Sequence, residues 1–140
     1  MSKDISVSDE KLVAMAKEAI DMAYAPYSKF RVAAALVTSK GNIHTGVNVE
    51  NASYGLTVCA ERVAVLKAVS CGDREIERIA VVSSSEGKVF PCGACRQVLS
   101  EFSSGDLSVI ISDTSGGVTE NLRLADLLPR AFGPEPLGDR

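Results

Sequence analysis

The segment that most constrains the fold covers residues 59–70, where apolar side chains occupy almost every side of a predicted helix. A helix that is hydrophobic all round is buried and does not lie on a surface. Gly72 follows the segment and supplies a natural C-terminal stop. We therefore expect the chain to fold around this helix.

The rest of the chain alternates predicted strands with predicted helices. A first helix has Ser8 as its N-cap, Asp9 and Glu10 at its positive end, and Pro26 to end it. Extended or apolar patterns predict five strands, at residues 30–38, 43–49, 79–82, 107–111 and 118–123. Helical patterns predict a helix at residues 92–102 and a short helix at residues 124–128. The turn at residues 39–42 makes the first two strands a hairpin. The pattern predicts an α/β fold, a three-layer α/β/α sandwich with a mixed five-stranded sheet.

Length and charge restrict the class of protein further. A chain of 140 residues fits one domain at roughly 100–200 residues per domain. We expect that domain over residues 1–132, followed by a Gly/Pro-rich tail over 133–140. The formal net charge of −3, from 15 basic and 18 acidic residues, does not suit a polyphosphate partner. With no Trp for stacking bases, the composition argues against nucleic acid as a partner.

The sequence also bears on the compartment. No apolar run approaches the roughly 20 residues of a membrane span, and the first residues lack the pattern of a secretory signal. We therefore expect no membrane partner and a cytoplasmic, reducing location. There, cysteines are more often metal ligands or catalysts than disulfides. Because His44 is the single histidine, most ligands of any metal would be sulfur or carboxylate.

Three of the four cysteines lie at predicted helix starts. Cys59 begins the apolar helix, while Cys92 and Cys95, three residues apart, share a face in the first turn of the next helix. Helix N-termini favour anions and lower thiol pKa values, so two such helices could bring three thiolates around one cation. Three protein ligands with an open fourth position, which holds a water, are typical of catalytic zinc.

Glu61 lies in the same helical turn as Cys59, among apolar neighbours. Acidic side chains are rarely buried without a structural or functional role. Glu61 is placed to take a proton from a zinc-bound water and transfer it to a leaving group. Three thiolates on a divalent cation leave a net negative charge, which makes the bound water less acidic. Arg62 and Arg96 are candidates to offset that charge through hydrogen bonds to the thiolates.

Three stretches of sequence carry a family resemblance. They are Asn48-Val49-Glu50-Asn51-Ala52-Ser53-Tyr54-Gly55, Cys59-Ala60-Glu61-Arg62 and Pro91-Cys92-Gly93-Ala94-Cys95-Arg96-Gln97. The last two match the zinc deaminase signature of a metal ligand, one residue, a Glu, and then Pro-Cys-x-x-Cys. Together, and in this order, they closely resemble the small homotetrameric cytidine deaminases, over about residues 27–132.

The resemblance implies a cytidine deaminase-like fold and hydrolysis of free cytidine and 2′-deoxycytidine to uridine and 2′-deoxyuridine in pyrimidine salvage. Zinc hydroxide would attack C4, Glu61 would carry the proton, and ammonia would leave. In the implied site, one zinc per chain is held by Cys59, Cys92 and Cys95, and the thiolates are supported by Arg62 and Gln97. The ribose is bound by Asn48 and Glu50, and the pyrimidine ring is contacted by Phe30 and the backbone of Ala60. Two further substrate-binding residues, Tyr54 and Phe132, lie near subunit boundaries. The implied partner is a small nucleoside, and the implied assembly is a homotetramer.

Other interpretations remain open on the residues alone. Cys92 and Cys95 by themselves suit a redox dithiol, and a zinc-stabilised module without turnover would also use the cluster. A closed structural zinc site needs a fourth ligand, but Cys71 lies some 18 Å along the helix from Cys59, and a strand histidine such as His44 is more often a surface residue. Two further alternatives are chemically closer to cytidine deamination: a deaminase that acts on a nucleoside antibiotic, and one that acts on cytosine in a polynucleotide.

One residue departs from the family pattern. The family usually has glycine in the strand where this chain has Ala33. We expect the extra methyl group to affect the dimensions of the pocket and not its chemistry.

Overall fold

The computed structural model describes residues 7–84, 89–116, 118 and 120–134. In chain order the elements are helix α1 (Asp9–Ala19), strands β1 (Val32–Thr38) and β2 (Ile43–Val47), helix α2 (Ala60–Ser70), strand β3 (Ile76–Ser83), helix α3 (Gly93–Glu101), strands β4 (Ser108–Asp113) and β5 (Glu120–Arg123), and helix α4 (Leu124–Leu127). Short 3-10 helices cover Ile20–Met22 and Tyr54–Leu56. Residues 135–140, most of the predicted tail, lie outside the described residues.

The strands form one five-stranded sheet in the order β2-β1-β3-β4-β5. Strands β3 and β4 are parallel and are joined through α3, whereas every other neighbouring pair is antiparallel. A parallel pair needs such a crossover connection, while β1 and β2 meet through a tight turn. The mixed five-stranded sheet predicted from the sequence is therefore confirmed.

Both faces of this sheet are covered, because the side chains of its central strands alternate. Ala33 and Ala35 of β1 pack in a cluster with α1, while Ala34 and Leu36 pack in a second cluster with α2 and α3. Strands buried on both faces read as continuous apolar runs, as β1 does. The three-layer arrangement is confirmed, and it places the methyl group of Ala33 on the face of the sheet away from α2.

Helix α1 begins as predicted but ends earlier. The Ser8 side chain accepts a hydrogen bond from the backbone of Lys11, which caps the helix. Helical structure stops at Met22 and not at Pro26, because Tyr24 leaves the helix to donate its backbone N–H to the carbonyl of Asn48 at 3.0 Å. A tertiary hydrogen bond, and not the proline, sets this boundary.

Helix α2 packs only one face on the sheet. Ala60, Ala64 and Ala68, spaced four residues apart, are fully buried, but Leu66 is 52% exposed. The prediction that this helix is buried on every side is therefore wrong for the single chain, although its small residues do lie in the core. Because those residues are small, α2 approaches β2 so closely that a Cβ at Gly46 would lie 2.5 Å from the backbone nitrogen of Ala64.

The residues flanking α2 behave as the sequence indicates. Cys59 is its N-cap, and Gly72 follows its end with a φ of +92°, a conformation that glycine adopts without strain. Across the part of the chain that the structure describes, no helix has the length and apolar character needed to cross a membrane.

Candidate metal centre and active site

The N-termini of α2 and α3 meet, and three thiols lie together at that point. Cys59 and Cys92 are the N-caps of the two helices, and Cys95 lies one turn into α3. The Sγ atoms of Cys59 and Cys92 are 3.8 Å apart, and those of Cys92 and Cys95 are 3.5 Å apart. Among the described residues, these three form the one cluster of candidate metal ligands.

The spacing of the thiols fits a tetrahedral zinc ion. Zinc–sulfur bonds of about 2.3 Å at tetrahedral angles require sulfur atoms roughly 3.8 Å apart, and all three Sγ atoms lie within 4.8 Å of one another. Cys71 and His44 do not belong to the cluster. Three sulfur ligands leave a fourth position open, as in catalytic zinc sites.

The electrostatics of the thiols also favour a cation. A hydrogen bond with Cys95, helped by Arg62 and Cys92, lowers the pKa of Cys59 to about 5 even though burial opposes this. The same hydrogen bond, together with burial and the charges of Glu61 and Cys59, raises the pKa of Cys95. One thiolate therefore forms readily while a second is resisted, and a divalent cation would remove that resistance.

Arg62 lies beside this cluster. Its Nη2 atom is 3.6 Å from Sγ of Cys59 and 3.5 Å from the carbonyl oxygen of Thr57. Its Nε atom is buried and has no hydrogen-bond partner among the described residues. A partly buried guanidinium beside the sulfurs complements the net negative charge that three thiolates would leave on a zinc ion.

Glu61 is the buried acid of the site. The residue is only 4% exposed. Burial raises the pKa of its carboxyl group to about 7, with a further contribution from the Cys59 charge, while a backbone hydrogen bond and Arg62 oppose the rise. A group with a pKa near 7 is suited to both accepting and releasing a proton at neutral pH.

Asn48 follows β2 and bonds to the first residue of β1 and to the segment before it. Its Oδ1 accepts the backbone N–H of Val32 at 2.9 Å, and its Nδ2 donates to the carbonyl of Phe30, also at 2.9 Å. The residue is 8% exposed. Because both bonds fix the amide plane, its remaining N–H has a defined direction.

Glu50 contacts the turn before Phe30. Its Oε1 accepts the backbone N–H groups of Tyr27 at 3.0 Å and Ser28 at 3.1 Å, while its Oε2 accepts the hydroxyl of Ser28. The Ser28 hydroxyl is the largest cause of a lowered pKa at Glu50, followed by burial, which opposes it, and then by the two backbone donors. The carboxylate is therefore held ionised and oriented.

The other predicted substrate residues lie at different depths. Phe30 packs against the core cluster on the α2 face, and Ala60 is fully buried as the first residue of α2. Tyr54 is 77% exposed and packs edge-on against Tyr27, with ring centroids 6.1 Å apart. Phe132 is 60% exposed, so in the single chain these last two rings face outward.

Gln97 and Arg96 of α3 contact the C-terminal segment. The Gln97 side-chain nitrogen donates to the carbonyl of Phe132 at 3.0 Å. Arg96 donates to the carbonyls of Pro91 at 2.7 Å and Leu127 at 2.8 Å. The hydrogen bonds that the structure gives these side chains thus go to backbone carbonyls, whereas the sequence predicted support of the thiolates themselves.

His44 is not the surface residue that its strand position predicts. Its side chain is 14% exposed, and its Nε2 lies 2.9 Å from Oδ2 of the buried Asp73. It belongs to a cluster away from the thiols. Cys71 is exposed at the end of α2.

A cavity of about 380 Å³ lies beside Glu50. It is lined by Tyr27, Ser28, Glu50, Asn51, Tyr54 and Thr57. Its volume falls within the roughly 300–1,000 Å³ of small-molecule sites. A larger cavity of about 810 Å³ is lined by none of the predicted site residues, so size alone does not locate the chemistry.

Sequence reasoning missed the contribution of Ser28 to this site. The residue donates to Glu50 and accepts the backbone N–H of Phe30 at 3.0 Å. A hydroxyl in a turn two residues before a predicted ring contact is a weak signal, because such serines commonly serve the turn alone.

Comparison with known proteins places these features in a family. A profile described as "Cytidine and deoxycytidylate deaminase zinc-binding region" matches residues 6–111. The chain is 50% identical over 128 residues to a cytidine deaminase of Sporosarcina psychrophila, covering 91% of this chain and 93% of that protein. It is 45% identical over 130 residues to a cytidine deaminase of Halalkalibacterium halodurans, covering 93% and 98%.

A solved structure is similar in its fold as well. The crystal structure of cytidine deaminase from Burkholderia pseudomallei superposes with a TM-score of 0.84 at 47% sequence identity. The match covers 89% of this chain and 99% of that one. The similarity therefore extends over nearly all of both chains and is not confined to the metal-binding segments.

Proposed function

The chain belongs to the cytidine and deoxycytidylate deaminase zinc-binding family as a cytidine deaminase, and we propose that it acts on both cytidine and 2′-deoxycytidine. The reaction adds water at C4 of the base: a C–O bond forms, the C–N bond to the amino group breaks, and ammonia leaves. The observation that supports this deamination chemistry is the buried Glu61 beside the three thiols. Free nucleosides as substrates would assign the enzyme to pyrimidine salvage.

The residues divide the chemistry between them. Cys59, Cys92 and Cys95 would hold one zinc ion, which when bound supplies Lewis-acid activation of a water molecule. Glu61 would accept a proton from the attacking water at its carboxylate and deliver it to the amino nitrogen that leaves, because its raised pKa suits both directions of transfer. Arg62 offsets the negative charge of the thiolates.

The sugar would be bound by Asn48 and Glu50. Both side chains are already oriented by hydrogen bonds to the backbone around Phe30. Each keeps unused hydrogen-bonding capacity, a donor on Asn48 and an acceptor on Glu50, that suits a sugar hydroxyl. A site built to bind that hydroxyl rejects a base without a sugar, since the polar groups would be left unpaired.

The direct test is turnover of purified protein whose zinc content has been measured. Cytidine and 2′-deoxycytidine are followed by the ultraviolet change on conversion to the uracil nucleosides, and ammonia is measured in parallel. We expect turnover of both substrates with about one zinc per chain, and no turnover of free cytosine. Full zinc occupancy without turnover of either nucleoside would refute the proposal and favour an antibiotic nucleoside, polynucleotide cytosine or a zinc module without turnover.

A homotetramer would cover the apolar side chains that the single chain leaves exposed. Leu66 on α2 and the rings of Tyr54 and Phe132 are all more than half exposed. Phe132 would then contact the pocket of a neighbouring copy. Sedimentation equilibrium should give four times the mass of the chain, and Leu66→Glu should lower it; a monomer at micromolar concentration would refute this assembly. The cytoplasmic location stays a prediction from the sequence.

A further inference from the structure

The predicted sugar contacts and the predicted ring contact belong to one hydrogen-bonded unit. Asn48 binds the backbone of Phe30 and Val32, and Glu50 binds the backbone of Tyr27 and Ser28. All of these partners lie in one segment, between Tyr27 and Val32, which is the first residue of β1. The orientation of the ring contact is therefore linked to that of both sugar contacts.

Ser28 is the side chain that links the two ends of this unit. Its hydroxyl donates to Oε2 of Glu50 and accepts the backbone N–H of Phe30 at 3.0 Å. The carbonyl of Phe30, at 3.5 Å, is a weaker alternative acceptor for the same hydrogen. Because a hydrogen bond to an ionised acceptor is the stronger one, the hydroxyl points toward Glu50.

Counting acceptor positions shows what the hydroxyl does to Glu50. An ionised carboxylate has about four such positions, two on each oxygen. The backbone N–H groups of Tyr27 and Ser28 fill both positions on Oε1, and the Ser28 hydroxyl fills one on Oε2. Within the part of the chain that the structure describes, one position on Oε2 stays open, beside a cavity that Glu50 and Ser28 both line.

We propose that Ser28 is a positioning residue for nucleoside recognition, which holds Glu50 so that a single acceptor position on Oε2 meets one sugar hydroxyl. This inference rests on the proposed function, because it takes Glu50 as a contact to the sugar. Ser28 itself acts through Glu50. A structural role in the turn alone would use only the bond from the Phe30 N–H to the Ser28 hydroxyl oxygen.

The experiment compares Ser28→Thr with Ser28→Val in the full-length enzyme loaded with zinc. These variants have nearly the same shape, and only the threonine keeps a hydroxyl, so differences in folding largely cancel. We expect KM for cytidine to be about tenfold higher for the valine variant than for the threonine variant, the effect of one hydrogen bond to a charged group. We expect kcat to change less than about twofold, because the sugar contact is uniform through the reaction.

Two controls separate positioning from a general effect on the segment. Ser84→Ala removes another hydroxyl that accepts a backbone N–H from this segment, that of Arg31 at 3.0 Å, without touching Glu50, and it should leave KM unchanged. Repeating the Thr and Val pair in a Glu50→Ala background should reduce the tenfold KM ratio to near one, because the partner of the hydroxyl is then gone.

Three results would overturn the inference. Equal KM values for the threonine and valine variants would show that the hydroxyl does not serve binding. A KM ratio that persists in the Glu50→Ala background would show that Ser28 does not act through Glu50. Wild-type enzyme with full zinc and no turnover of cytidine would instead refute the proposed function, and this inference would fall with it.

Discussion

Glu61 combines deep burial with a position two residues beyond the N-cap cysteine of α2. Glu61→Gln keeps the shape and size of the side chain but removes its ability to carry a proton. We expect zinc content to stay at the wild-type level while kcat falls by about 10²–10⁴-fold or more, the range of general acid–base catalysis. Initial rates with cytidine and metal analysis of the same preparation test this. Near-normal turnover would show that the proton moves by another route.

For a cysteine of the thiol cluster, unlike Glu61, we expect substitution to reduce the zinc content of the protein. Cys92→Ala removes a sulfur that lies 3.8 Å from that of Cys59 and 3.5 Å from that of Cys95, leaving two ligands. We expect zinc to fall from about one per chain to near zero, as measured by atomic emission, and turnover to be lost with it. Cys71→Ala, which removes an exposed cysteine outside the cluster, should change neither. Stoichiometric zinc in Cys92→Ala would refute the ligand assignment.

Asp73 gives stability that depends on pH. It is 3% exposed and bonds to His44 and Asn42, both at 2.9 Å, and these bonds lower the pKa of its carboxyl group below 3.8. A lowered pKa stabilises the fold above the unfolded pKa of about 3.9, and this stability is lost as pH falls through the folded value. Asp73→Asn should therefore lower the melting temperature by about 3–6 °C at pH 7.

The same difference should shrink as pH falls below about 3.9, because the carboxyl group is then protonated in the unfolded chain and, at still lower pH, in the native protein as well. Asp106→Asn is a matched control, because this carboxylate is 86% exposed in its ion pair with Arg123 and surface pairs contribute little. Thermal unfolding of the three proteins at pH 7 and pH 3 tests the prediction. A difference between wild type and Asp73→Asn that is equal at both pH values would contradict it.

At the residue level, the sequence predicts chemistry best where the chemistry is local. Cys59 and Glu61, or Cys92 and Cys95, share a helical turn, so their spacing alone places them together. In contrast, the hydrogen-bond partner of His44 is Asp73, which lies 29 residues away along the chain, and that of Gln97 is Phe132, which lies 35 residues away. The hydrophobic periodicity of the sequence does not predict such long-range pairs, because they depend on how the helices and strands pack together.

At the scale of elements, the close contact of β2 with α2 positions the first turn of α2, which carries Glu61. A methyl group at Gly46 would lie 2.6 Å from the carbonyl of Ala60 and 2.5 Å from the nitrogen of Ala64, both backbone atoms. Gly46→Ala must therefore displace α2, whose first turn carries Glu61. We expect a loss of about 1–3 kcal/mol in the free energy of unfolding, as for overpacked cores, and a fall in kcat through the displaced Glu61.

Chemical denaturation and initial rates measure these two effects. Gly55→Ala serves as the comparison, because a Cβ there would meet nothing within 4 Å, and it should match the wild type in both. Wild-type stability in Gly46→Ala would show that the contact is loose. Unchanged kcat with reduced stability would show that the first turn of α2 does not follow the rest of the helix.

Element positions are more predictable than element surroundings. The apolar runs locate β1, β3 and β4, and the N-caps of α1 and α2 lie where Ser8 and Cys59 indicate. The exposed Leu66 of α2 could not be foreseen, because an apolar pattern shows that a face prefers burial but not which chain covers it. The end of α1 depends on a hydrogen bond from Tyr24 to Asn48, which is likewise not local.

In the whole molecule, the sheet connects segments that are distant along the chain into one site. Strands alternating with helices predict a layered α/β fold, but they do not give the strand order β2-β1-β3-β4-β5. That order sets α2 and α3 side by side on one face, so the N-caps Cys59 and Cys92, 33 residues apart, meet at 3.8 Å. A zinc ion held by both helices would therefore connect two parts of the fold that lie far apart along the chain.

This arrangement predicts that metal binding contributes to the stability of the whole fold. Because zinc binds the folded cluster and the ligands are dispersed in the unfolded chain, its binding free energy adds to that of folding. Removing zinc with a strong chelator should lower the melting temperature by more than about 5 °C. Zinc should restore it, whereas magnesium should not, because thiolates are poor ligands for magnesium. In Cys92→Ala the chelator should have no effect, and an unchanged melting temperature in fully zinc-depleted wild type would show that the two helices are held together without the metal.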